Sequence, residues 1–203
     1  NVYVTGQSRG NGTLLDYATI KYDTDGLLQW VRRYNGTGNG NDRAKSITAD
    51  ASGNVYVTGE SDGVGTSIDY ATIKYSTDGT EEWVNRFNGA SNGNDLGYRI
   101  AVDVSGNVYA TGSSSSGSGQ DYDFATVKYN SIGDQQWVKV YDGPASGEDN
   151  PFAIAVDDVG NVYLAGESEG IGTFTDYATI KYNTNGDQQW AKHHNGTGNS
   201  SDF

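Results

Sequence analysis

Cysteine and methionine are both missing from the 203 residues. Without cysteine there is no disulfide framework and no thiolate metal site. Without methionine the chain reads as an excised or processed piece. Basic residues are scarce, 13 against 26 acidic ones, for a formal charge of −13. Binding to nucleic acid needs a basic surface that displaces counterions from phosphates, so that class of function is excluded. No apolar run approaches the length that crosses a bilayer, so membrane insertion is not expected. No signal peptide is visible, which carries no weight in a chain that opens partway through a repeat. Hydrophobic residues make up only 34%, and no stretch shows a helical period.

What is present is repetition. Asn-Val-Tyr-Val-Thr-Gly opens the chain at Asn1 and returns at Asn54, at Asn107 as NVYATG and at Asn161 as NVYLAG. Asp16-Tyr17-Ala18-Thr19-Ile20-Lys21-Tyr22 recurs from Asp69, Asp123 and Asp176, and each copy holds one of the four tryptophans, Trp30, Trp83, Trp137 and Trp190. Each copy reads as short β-branched and aromatic runs separated by turns. In the second copy these are 44–50, 55–58, 70–75 and 82–87. Glycine ends the turn after the third run every time, at Gly26, Gly79, Gly133 and Gly186, where a positive φ costs it little. The 15 tyrosines and four tryptophans offset the low apolar content. One buried Trp removes about 200 Å² from water, worth at most roughly 5 kcal/mol. Val55 and Val57 on one face of a strand and Tyr56 on the other give it bulk on both sides, as a sheet stacked between two neighbours requires.

Such a period implies a ring or stack of small sheets. The expected fold is all-β: a β-propeller of four-stranded antiparallel blades, about four of them, the first incomplete. Residues 1–203 form one propeller fragment with repeats at 1–53, 54–106, 107–160 and 161–203. Copy one begins at its second strand, and the tail 195–203, aligned with 35–43, stops just before a further innermost strand. A piece of a larger propeller is therefore expected, with self-assembly of fragments as the alternative. The core around Ala101-Val102-Asp103 and Ser105-Gly106-Asn107-Val108-Tyr109, the DYATIKY run, the hairpin glycine and the Trp strand together resemble the SBBP repeat. The GNVYVTG core is also similar to NHL-type propeller repeats. The resemblance covers the whole chain. It implies a propeller, often of about seven blades, in secreted or cell-surface multidomain proteins of bacterial type with no known enzymatic activity.

In a four-stranded meander the connections after strands two and four share one end of the blade. Those from Gln7 to Leu15, Glu60 to Ile68, Ser113 to Tyr122 and Glu167 to Thr175 read as long loops, as do the crossings from Asn35, Asn88, Asp142 and Asn195. Recognition usually sits on such loops. This end is also acidic, with Arg9 and Arg43 the basic residues set against its many carboxylates, which points to a cation or to a partner with a basic patch. The candidate ligand or calcium residues are Asp16, Asp42, Asp69, Asp95, Asp123, Glu148, Asp149 and Asp176. The bland reading of the repeated aspartates is that they accept hydrogen bonds from neighbouring loop amides.

Other motifs carry less. Asp23-Thr24-Asp25-Gly26 resembles the start of a calcium loop, but no bidentate Glu follows at the required spacing and a hairpin turn accounts for all four copies. His194 stands in the column of Tyr34, Phe87 and Tyr141 and reads as a replaced packed aromatic. Sequons at Asn11, Asn35, Asn195 and Asn199 are weak signals in Asn- and Ser-rich loops. The reading that follows is a non-enzymatic extracellular or cell-surface scaffold that binds protein or glycan through its acidic loop end. Calcium is the one cofactor the acidic loops suggest. The alternatives are a lectin-like binder with sugar sites between blades, using Tyr, Trp and Asp, and a hydrolase or lyase with paired carboxylates, for which the departing third copy, Asp142 to Pro151, is the place to look.

Overall fold

The computed structural model describes residues 1–117, 121–198 and 200–202. Part of the connection from Ser113 to Tyr122, the sequon residue Asn199 and the last residue of the tail lie outside the described residues. Blade one has three strands, β1 (Val2–Arg9), β2 (Leu15–Tyr22) and β3 (Leu28–Tyr34). Blade two has β4 (Asp42–Ala49), β5 (Val55–Asp62), β6 (Ile68–Tyr75) and β7 (Glu81–Phe87). Blade three has β8 (Asp95–Val102), β9 (Val108–Ser115), β10 (Tyr122–Tyr129) and β11 (Gln135–Tyr141). Blade four has β12 (Asp149–Val156), β13 (Val162–Glu169), β14 (Thr175–Tyr182) and β15 (Gln188–His194). Each blade is an antiparallel meander with neighbours paired in chain order. The expected all-β propeller architecture, with a first blade of three strands followed by three of four, is what forms.

Strand alternation sends successive residues to opposite blades. Val55, Val57 and Ile73 pack with Tyr17 and Trp30 toward blade one. Tyr56 and Tyr70 pack with Ile100, Val108 and Ala125 toward blade three. A third apolar layer, built on Phe124, Leu164 and Ile180, joins blades three and four. Several polar atoms in these layers find partners across them, although the Tyr75 and Tyr129 hydroxyls do not. The Tyr17 hydroxyl donates to the Ala71 carbonyl at 3.2 Å and that of Tyr70 to Ala125 at 3.1 Å. Trp30, Trp83 and Trp137 donate their indole N–H to the carbonyls of Thr77, Ser131 and Thr184 in the following blade. Lys21, Lys74 and Lys128 donate to the same three carbonyls.

Two local devices explain recurrent glycines. A bulge in each inner strand, as between Ala44 and Ser46, presses the Arg43 carbonyl over residue 59, where a Cβ would lie 2.1 Å from it. Only glycine fits there, and Gly112 and Gly166 meet the same constraint. At the opposite end, the turn at 50–54 places Gly53 at φ +84° while Asp50 accepts from the Asn54 backbone and side-chain amides and from the Tyr56 hydroxyl. Asp103 and Asp157 repeat that network with Asn107 and Tyr109, and with Asn161 and Tyr163. The Asp-x-x-Gly-Asn-Val-Tyr motif is therefore a hairpin clasp.

The strands reach further than the sequence suggests. Strand β5 runs on to Asp62 and β6 starts at Ile68, so the connection expected from Glu60 to Ile68 shrinks to residues 63–67. The inner strands likewise begin at Asp42, Asp95 and Asp149 instead of 44, 99 and 152. The cause is pairing: Asp42 faces Ser61 and Arg43 faces Glu60, which draws both segments into the sheet. The crossings at 35–41, 88–94 and 142–148 remain the longer connectors and share an end with 63–67, as Gly38 donating to the Asp62 carbonyl and Ser91 to that of Ser115 demonstrate. Asp23 accepts from the Asp25 and Leu27 amides in a closed hairpin turn, not a calcium loop.

Truncating Tyr70 to Phe keeps the ring and deletes one buried hydrogen bond, for an expected loss of about 1 kcal/mol in urea unfolding, against about 3–5 kcal/mol for Tyr70→Ala. Equal losses for the two would contradict the assignment. At the hairpin end, the Asn161 amides and the Tyr163 hydroxyl hold the Asp157 carboxyl below its ordinary value. For Asp50, burial pushes upward but the Asn54 and Tyr56 bonds outweigh it. Hydrogen bonds from Ser76 and Thr80 hold Asp78 down at about 2. Stability from these clasps is complete above the unfolded carboxyl range of about 4 and fades as pH falls through the lower folded values. Melting temperature should therefore drop from pH 4 toward pH 2 less steeply in Asp157→Asn than in the parent.

Candidate functional site

The acidic end is built from two aspartate columns. The first, Asp42, Asp95 and Asp149, opens the inner strands. Each carboxylate accepts the backbone N–H six residues upstream, from Gly36, Gly89 and Gly143, at 2.7, 2.7 and 2.6 Å. Asp202 and Gly196 repeat the contact in the tail. Ser61 and Ser114 add hydroxyl donors to Asp42 and Asp95, whose carboxylates are then satisfied on both oxygens. All three aspartates of the inner strands are fully buried, and burial pushes each carboxyl above its ordinary value. The crossing loops bend through Asn39, Asn92 and Ser146 at φ near +51°. In the first two crossings an amide clasp closes the bend, Asn35 onto Asn39 and Asn88 onto Asn92.

The second column, Asp16, Asp69, Asp123 and Asp176, lies on the third strands. Thr13, Thr66 and Thr173 donate to Asp16, Asp69 and Asp176. Arg33 and Arg86, one strand over, neutralise Asp16 and Asp69 at 3.0 and 2.8 Å. Arg86 also reaches the Ser61 hydroxyl and carbonyl and the Tyr34 hydroxyl of the preceding blade. In blade four His193 takes the arginine position and meets Tyr141 Oη through Nε2.

Blade three departs from this arrangement. The position paired with Ala71 holds Arg86 in blade two; the position paired with Ala125 holds Val140. Asp142 and Ser146 stand where Asn88 and Asn92 stand one copy earlier. The carboxylates of Asp123, Asp142 and Asp149 converge, with an oxygen from each within 4.8 Å of the others. Asp123 is half-buried, Asp142 exposed and Asp149 buried. Burial first, then repulsion by Asp142, Asp149 and Asp121, lifts the Asp123 carboxyl to about 6.

The eight sequence candidates thus separate. Asp16, Asp42, Asp69, Asp95 and Asp176 are buried and engaged by donors of their own blade or crossing, which is the loop-donor reading extended to hydroxyl and guanidinium groups. Glu148 is exposed on the rim. Asp123 and Asp149 come together, and Asp142 joins them. The arginine column was missed as a site feature, and Asp142 was named only as the start of the segment to search for paired carboxylates. Their signal lay in the aligned copies, where Arg33, Arg86, Val140 and His193 occupy one position. His194 is exposed and sits opposite Tyr177, in the column of Tyr34, Phe87 and Tyr141. At the hairpin end a cleft of about 450 Å³ lies between blades two and three, lined by Asp50, Tyr56, Lys74 and Asp103. Its aspartates are the turn clasps already described, so its polar groups are spoken for.

Three stretches of the chain, residues 29–65, 82–119 and 143–172, match the SBBP β-propeller repeat. The first two begin one residue before a tryptophan, whereas the third begins after Val140 and Asp142, past the segment that departs. A search of curated proteins found none that matches the chain.

Replacing Arg86 by Met strands the Asp69 carboxylate without its cation in a site where its side chain is 4% exposed. The expected loss is about 3 kcal/mol, or roughly 6–10 °C in melting temperature. Adding Asp69→Asn should recover most of it; a single-variant loss below about 1 kcal/mol would remove the buried-pair account.

Proposed function

The chain belongs to the SBBP β-propeller repeat family, and from that premise we propose that it is a non-enzymatic scaffold, secreted or displayed at a cell surface, that holds a protein partner carrying a basic patch. The observation behind this reading is the charge of the rim. Once the buried carboxylates are set aside, those exposed at the crossing end include Asp142, Glu148 and Glu169, with Asp62 and Asp121 half-exposed, and the exposed cations of that end, Arg9 and Arg33, belong to blade one. Most of these belong to blades three and four. A one-signed rim on a rigid stack steers a partner of opposite sign and speeds encounter.

Protein is favoured over glycan because the aromatics between blades, which would line sugar sites there, are occupied; the exposed ones, such as Phe174, Tyr177 and Trp190, lie in blade four. Tyr17, Tyr56, Tyr70 and Tyr109 have no exposed surface, and Trp30 is 7% exposed. Near-identical copies also favour presentation over catalysis, since a reaction centre needs residues that differ around it.

Binding of an arginine- and lysine-rich peptide, measured calorimetrically in 50 mM and 300 mM NaCl, tests this. Affinity should fall about tenfold or more with added salt, and Glu148→Lys with Glu169→Lys should weaken it by a further tenfold, roughly 1.4 kcal/mol. An affinity that ignores both changes would sink the reading, as would equal binding of an acidic peptide.

A further inference from the structure

We propose that the outward faces of blades one and four are the two halves of one junction, made head to tail between two copies of this chain that together close a ring. Inside the chain each junction sets an aromatic face against an aliphatic one. Tyr56, Tyr70, Trp83 and Phe87 of blade two pack on Ile100, Val108, Ala125 and Val127 of blade three. The same plan leaves one face of each kind at the ends. Blade one turns Val2, Val4 and Val31 outward, each about half exposed, with Ala18 and Ile20 beside them. Blade four carries Tyr163, Tyr177, Trp190 and His194 in the columns of Tyr56, Tyr70, Trp83 and Phe87. Tyr177 is 45% exposed and Trp190 37%.

A socket for an aromatic ring lies open on blade one. Val4, Gly6, Ala18, Ile20 and Val31 line a groove of about 330 Å³. At Gly59 and Gly112 a Cβ would lie 2.8 and 2.9 Å from the hydroxyls of Tyr17 and Tyr70, and at Gly166 it would lie 2.7 Å from the Phe124 ring. Each of those rings belongs to the preceding blade. The inner-strand carbonyl presses on Gly59 as well, and neither group has a counterpart beside Gly6 within the chain, where a Cβ meets nothing within 4 Å. Glycine inside a strand is a cost that close approach of another backbone or side chain explains. The hairpin glycines repeat the contrast: Gly79, Gly133 and Gly186 are covered by Trp30, Trp83 and Trp137, and Gly26 is bare.

The polar lock between blades also has one half at each end. Thr77, Ser131 and Thr184 each accept an indole N–H and an ammonium from the blade before. Thr24 is their counterpart in blade one, and Trp190 with Lys181 are the donor counterparts in blade four. Lys181 already lies over the Tyr163 ring at 5.1 Å, as Lys74 lies over Tyr56 at 5.7 Å. Blade four of one copy set against blade one of another directs both donors to the Thr24 carbonyl. Val4 and Trp190 are exposed together, so one copy does not close on itself. Two copies bring eight sheets, the top of the usual range of about four to eight blades, and a third copy exceeds it. Head-to-tail contacts that close give a discrete ring and not a filament.

The test is the mass of the whole chain in solution, by light scattering and sedimentation at about 100 μM. A particle of twice 21.7 kDa is expected. Gly6→Leu fills the groove from a position where a Cβ meets nothing in its own copy, and Trp190→Ala removes a partly exposed ring, so both should keep the parent circular dichroism. Each should weaken pairing by about tenfold or more. Mixed in equal amounts, the two variants should pair more tightly than either does alone, because one of the two junctions then joins two unaltered faces. A single-copy mass at that concentration, a series of ever larger species, unchanged pairing in either variant, or no gain on mixing would each overturn the proposal. Pairing is independent of the basic-partner reading: Glu148→Lys with Glu169→Lys alters the rim and leaves both end faces intact, so the two fail separately.

Discussion

One carbonyl per blade receives two donors from the blade before it. The indole N–H and the lysine ammonium of one blade converge on Thr77, Ser131 or Thr184 in the next. This contact sets the angle and distance between sheets, because a displaced blade would leave a half-buried ammonium and an indole unsatisfied together. It also explains two invariants at once. The lysine ends strand three, the tryptophan opens strand four, and the accepting turn must arrive one repeat later. The lysines are held at the other side by a tyrosine ring, as Lys74 lies 5.7 Å from the centre of Tyr56. Apolar area supplies most of the attraction between blades, but it is non-directional; the shared carbonyl supplies the register.

Once blades are locked, each interface must also house the aspartates that tie crossing loops to inner strands. Blades one and two solve the resulting charge with arginine, and in blade four Thr173 donates to Asp176 while His193, in the arginine column, meets Tyr141. Buried carboxylates are tolerated only with such partners. The same backbone thus carries several electrostatic solutions, and they differ at the rim of blades three and four, where the exposed acids also collect.

The architecture was legible because the copies repeat: alternation in Val55-Tyr56-Val57 predicts bulk on both faces, and the apolar layers place those residues on opposite blades. Strand ends were less legible. Gly-Glu-Ser-Asp at 59–62 has the composition of a loop, yet it pairs because Asp42 and Arg43 lie opposite, and no local propensity records that. Among the candidate residues, reading a column as invariant identified scaffold aspartates such as Asp42 and Asp69 but could not say what neutralised them. The neutralising arginine sits on a neighbouring strand, seventeen residues from its aspartate, so the pair is set by register and not by a contiguous motif.

Repetition therefore inverts the usual weighting of sequence signals. A residue present in every copy is accounted for by blade geometry, since every blade faces the same packing problem. A residue that breaks its column has been released from that problem or answers a different one. Val140 and Asp142 break theirs side by side, against a carboxylate, Asp149, that remains buried.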